Sequence, residues 1–198
     1  MTAERAEQEE SIFRFSNEQS KALAEKAKEA GQEIIICQIR PKSITQQLIE
    51  DAQYFGYVNA AQDLRSLVVP VSFEAAAFVD KKTKRGVPIP KSNERALDRQ
   101  KEMIEGEFDQ DLKVPGVKAI MAHAYVDTQL DIEHQKRIGK KLLVGFHART
   151  PDETFGSRVA DVGRYRPDGL LRVCVWRRDC ALGGVFAFPV VVPANLEI

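Results

Sequence analysis

The sequence predicts an α+β fold: a helix-rich N-terminal half packed on a mixed sheet that ends in a C-terminal antiparallel meander. Three observations carry that prediction. Two capping boxes, each followed by apolar residues at helical spacing, lie in the first half. Three strand-like runs separated by turn residues fill 159–192. Between them, residues 117–149 read as strand, helix, strand, the pattern of one βαβ unit.

In chain order, residues 1–15 are polar and read as a tail ahead of a single domain over 16–198. Ser16 and Gln19 form the first capping box, Leu23, Ala27 and Ala30 make the stripe of its helix, and Gly31 stops it. Residues 33–40 carry Ile34, Ile35, Ile36 and Ile39 before Pro41, and read as an interior strand. Ser43 and Gln46 open a second helix with Ile44, Leu48, Ala52 and Phe55 on one side, ending at Gly56. A short helix over 59–66 follows, so a helix-turn-helix is one reading of 44–66. Residues 67–73 and 75–80 are extended, with Pro70 arguing for an edge or a bulge.

Residues 81–92 combine Lys81, Lys82, Lys84 and Arg85 with Pro88 and Pro90, which predicts an exposed basic loop. A charged helix with a thin stripe at Leu97, Met103 and Ile104 covers 93–104, and a polar loop covers 105–116. The strand–helix–strand segment places a strand over 117–126, a helix capped by Thr128 and ended by Gly139, and a strand over 142–149. Thr150-Pro151-Asp152-Glu153 has the residues of a short helix start. The last strands are 159–165, 170–178 and 185–192, the first two joined by Arg166-Pro167-Asp168-Gly169.

Composition narrows the function. With 29 acids against 29 bases the chain lacks the excess charge of a dedicated nucleic-acid binder. No apolar run is long enough to span a bilayer, so no membrane role is expected. Three cysteines without framework spacing fit a reducing, cytoplasmic setting. There is no GxxxxGK[ST], no GxGxxG after a strand and no GxSxG elbow, which argues against nucleotide hydrolysis, Rossmann dehydrogenases and serine hydrolases, and no cofactor is expected.

The leading expectation is therefore a non-catalytic protein acting through protein contacts, by self-association or as a subunit. Trp176 with Arg172 and Arg178, and Phe186 with Phe188, are its contact residues, because aromatics and arginine concentrate in interfaces. A second reading is nucleic-acid association through Lys81, Lys82, Lys84 and Arg85, whose cations could neutralise phosphates. A third is a metal-dependent hydrolase built on His123, His134 and His147, should the strand–helix–strand segment bring them together.

Overall fold

A computed structural model describes residues 13–59, 62–68, 71–154, 156–179 and 181–197. Both predicted capping boxes form. Ser16 accepts from the Gln19 amide and starts α1 (Asn17–Glu29). Ser43 does the same for Gln46 and starts α2 (Ile44–Glu50). Between them β1 (Gln32–Ile39) turns Ile35, Cys37 and Ile39 to one core and Ile34 and Ile36 to another. Burial on both faces is why so many branched residues stand in one run.

The chain then makes β2 (Phe55–Val58), α3 (Gln62–Ser66) and β3 (Phe73–Asp80). Gly56 thus lies in a strand, and among the described residues no helix-turn-helix forms. Leu97–Glu102 is α4, a π-helical turn over Met103–Phe108 continues it, and α5 (Asp109–Leu112) ends at Lys113 with φ 50°. The loop expected over 105–116 is therefore mostly helical. The wider turn sets two carboxylates against β4 (Val117–Met121), the end strand of its sheet. Asp109 Oδ1 accepts from the Ala119 amide at 2.5 Å and Glu105 Oε1 from the Met121 amide at 3.4 Å. Alternate amides on the open side of an edge strand are thereby satisfied.

After α6 (Ala124–Ile138) come β5 (Phe146–Thr154), β6 (Arg158–Arg164), β7 (Leu171–Arg177), β8 (Val185–Phe186) and β9 (Pro189–Pro193). They are split between two sheets, and the α+β class stands. Sheet A has the order β1-β3-β9-β4 and is antiparallel throughout. Sheet B has the order β2-β7-β6-β5-β8, with parallel pairing at its two ends.

This division corrects three expectations. The antiparallel meander is β5–β6–β7, one strand earlier than predicted, because β9 leaves for the middle of sheet A. All five of its residues are buried, which only a central position allows. The strand–helix–strand segment is not a βαβ unit, since β4 belongs to sheet A and β5 to sheet B. The helix start expected at 150–153 is part of β5, where the pairing with β6 shifts register between Arg149 and Glu153 and admits Pro151. The expected tail meets the fold by residue 13, whose carbonyl accepts from the Glu74 amide at 2.9 Å, and residues 1–12 lie outside the described residues.

α6 holds the two sheets together. It packs on β1 on one side and on β5 and β6 on the other. One core joins Ala75, Ala77 and Val190 of sheet A, Leu130 and Ile132 of α6, and Phe146, Ala160 and Val173 of sheet B. A second core lies across sheet A, where Ala76, Phe78 and Val191 meet Leu23, Ala27 and Ile104. Sheet A thus lies between α1 and α6, and α6 between the two sheets; on the far face of sheet B, Val159 joins the second core with Leu97 and Ile104.

Candidate functional site

Strand register builds a polar cluster on that far face. Across β5, β6 and β7, His147 faces Gly163, which faces Arg172. One rung along, Arg149 faces Asp161, which faces Cys174. A third pairing sets Val159 against Trp176. Side chains on alternate residues share a face, so these positions form one patch. Their neighbours Ala148, Ala160, Val162 and Val173 point inward to the core.

Within the patch, His147 Nδ1 hydrogen-bonds Asp161 Oδ1. Both residues are only 1% exposed, as is Arg149, whose Nη1 donates to the Arg178 carbonyl at 3.2 Å. Tyr165 lies across the histidine, with ring centroids 4.5 Å apart. Two glycines make that packing fit. A Cβ on Gly163 would stand 2.2 Å from the Phe146 carbonyl oxygen and 2.7 Å from His147 Cα. One on Gly184 would stand 2.7 Å from the Tyr165 ring, and the Gly184 carbonyl accepts from the His147 amide at 2.9 Å.

His147 Nε2 and Asp161 Oδ2 are buried with no hydrogen-bond partner among the described residues. The ligand atoms of His147, Asp161 and Cys174 all lie within 4.8 Å of one another. Burial, with the Asp161 charge adding to it against Arg172, pushes the Cys174 thiol up to about 11. A thiol so held is protonated at neutral pH, so the trio does not present an activated sulfur nucleophile of the Cys–His–Asp kind.

The three histidines do not converge. His123 precedes α6 and bonds Asp152 through Nδ1, while the second oxygen of Asp152 accepts from the Ala124 amide at 2.6 Å and caps the helix in place of the predicted Thr128. His134 is fully buried, and its Nε2 meets the Lys84 carbonyl at 2.8 Å. His147 alone joins a metal-capable trio among the described residues. Strands in different sheets and a helix between them keep the rings apart. Near His123, burial holds the Asp127 carboxyl well above the usual carboxylate range, with Asp152 and Asp131 adding like charge.

The predicted contact residues separate. Trp176 and Arg172 are exposed on the far face of sheet B. Arg178 is tied to Asp98 and Glu153. Phe188 is buried in the core against Phe146, and Phe186 is half-buried, packing edge-on to the same ring. In the basic loop, Asp80 Oδ1 accepts from the Lys82 and Thr83 amides, and Lys84 is paired with Glu33. Lys82 and Arg85 instead line a recess of about 380 Å³ with Lys140 and Lys141. A larger cleft of about 510 Å³, beside β1 and α6, mixes Arg40, Lys42, Lys136 and Arg137 with Asp51 and Glu133, and Lys136 is paired with both acids.

Asp161, Arg149 and Tyr165 escaped the sequence reading. Their signal is a polar residue alternating with apolar ones inside a strand, as in Val159-Ala160-Asp161-Val162-Gly163. Among the described residues no helix is long and apolar enough to cross a membrane. Compared with known protein families, curated proteins and solved structures, the chain finds no match.

Proposed function

We propose that this protein is non-catalytic and works through protein contacts made by the far face of sheet B, as an oligomer or as a subunit of an assembly. One observation carries the reading. Tyr57, Tyr165, Leu170 and Trp176, each 41–53% exposed, gather on β2, β7 and the β6–β7 turn around Arg172. Tyrosine, tryptophan and arginine are the side chains on which interfaces concentrate their binding energy. Among the described residues Arg172 has no carboxylate partner, which suits a surface that supplies one. The free thiols of Cys37 and Cys174 agree with a reducing, cytoplasmic setting.

Trp176 is the only tryptophan, so its fluorescence reports this face directly. Sedimentation velocity at two concentrations should reveal an associated species, and its Trp emission should shift to the blue. The double variant Trp176→Ala/Arg172→Glu, folded by circular dichroism, should sediment as a monomer. Association that survives this variant would refute the reading. A wild type that is monomeric at both concentrations leaves only the subunit version, which a photo-crosslinker at residue 176 tests through a discrete heavier product lost with Arg172→Glu.

A second reading rests on the recess lined by Lys82, Arg85, Lys140 and Lys141, which has no acid in its lining. Four cations there would neutralise a few phosphates of a nucleic acid. Fluorescence polarisation with a labelled oligonucleotide should then give an affinity that falls steeply with salt, and a flat salt response would refute it.

A further inference from the structure

We propose that His147, Asp161 and Cys174 bind a divalent transition-metal ion of the zinc class on the far face of sheet B. The residues come from three adjacent strands, and their placement is fixed by register, not by a loop: Asp161 and Cys174 face each other, and His147 stands one rung along on β5. Their ligand atoms lie within 4.8 Å of one another. Around a tetrahedral ion with bonds of roughly 2.0–2.3 Å, ligand atoms sit about 3.5 Å apart. The widest separation in the trio therefore needs to close by roughly 1.3 Å at most, 4.8 Å less 3.5 Å.

One orphaned atom points the same way. Asp161 Oδ2 is buried and has no hydrogen-bond partner among the described residues, and His147 Nδ1 reaches the ion by exchanging its hydrogen bond to Asp161 Oδ1 for a metal bond. Buried polar atoms in folded proteins nearly always have a partner, and a bound ion is a standard reason for an exception. A neutral imidazole, a thiolate and a carboxylate form a nitrogen–sulfur–oxygen set that suits zinc or cobalt and does not suit magnesium or calcium, which take oxygen alone. Three protein ligands leave a fourth position for water. Cys174 is the least buried of the three, so the ion enters from its side.

Binding involves no redox change. The Cys174 sulfur–hydrogen bond gives way to a sulfur–metal bond, and the proton leaves to buffer. The thiolate and the Asp161 carboxylate then cancel the charge of the ion. The site is separate from the contact reading, since it uses the buried centre of the face and not its exposed aromatics.

The test is titration of the chelator-treated, full-length protein with Co²⁺. Wild type should take up one equivalent, giving the near-ultraviolet thiolate-to-cobalt charge-transfer band, and zinc should displace it. Cys174→Ser should abolish the band, and the near-isosteric Asp161→Asn should weaken binding by more than the roughly 10–100-fold typical of second-sphere changes. In wild type, saturating Zn²⁺ should slow alkylation of Cys174, read by mass spectrometry of the peptide. That readout needs no variant to fold. Absence of the band, its persistence in Cys174→Ser, or alkylation unchanged by zinc would each overturn the proposal.

Discussion

Gly163 lets two strands approach until the backbone of β5 occupies the space a side chain would fill. In the sequence it reads as an ordinary weak point of a strand, because the glycine does not disclose which neighbour needs the room. Gly163→Ala should lower stability by at least the ~1–3 kcal/mol of an overpacked core, seen as a reduced urea midpoint, and should disturb the His147–Tyr165 stack. His134 makes a second residue-scale case. Burial pulls its imidazole below the usual value of 6.5, Arg137 and Lys84 act in the same direction, and the Lys84 carbonyl and Asp131 oppose only in part. Between the folded and unfolded values the unfolded chain binds more protons, so stability is lost as pH falls through that window. His134→Gln should flatten the stability curve as pH falls below the usual imidazole value of 6.5, read in urea titrations. The histidines were legible as chemistry but not as places. Their partners Asp152, Asp161 and the Lys84 carbonyl lie 14 to 50 residues away.

At the scale of elements, local chemistry was readable and its context was not. Both capping boxes and the Gly31 and Gly139 stops are decided within a few residues, and the sequence states them openly. The π-helical turn and the passage of β5 through Pro151 depend on carboxylates meeting β4 and on a register shift opposite β6, which no window of sequence contains. α6 illustrates the same limit, since its first nine residues are buried on every side and carry acids among the apolar positions. Asp131 explains one of those acids: it takes both terminal nitrogens of Arg164 on β6 at 2.8 and 2.6 Å and the amides of Leu142 and Leu143. Removing one partner of a buried pair strands the other charge. Asp131→Ala should therefore cost roughly 3–5 kcal/mol in denaturant unfolding. The double replacement Asp131→Leu/Arg164→Met should recover part of that loss but not all of it, because the two loop amides still lack their acceptor.

For the whole molecule, the α+β class followed from where helical and extended patterns cluster, whereas the division into two sheets did not. Alternation tells which face of a strand is buried and is silent about which strand lies beside it. The apolar run at 185–192 was visible as extended, yet its split between β8 in sheet B and β9 in sheet A is a matter of long-range pairing. The candidate site shares that blindness. It assembles from β5, β6 and β7, which bring His147 and Arg149, Asp161, and Arg172 and Cys174 side by side only once the strands are in register.

The central position of β9 has a consequence for biosynthesis. A ribosome releases β1, β3 and β4 long before residues 189–193 exist, and β4 pairs with no other strand of its sheet. Sheet A must wait half-built until β9 is made. A chain truncated before residue 189 would thus hold sheet A with its middle strand missing, a species whose exposed strands invite chaperones or neighbours.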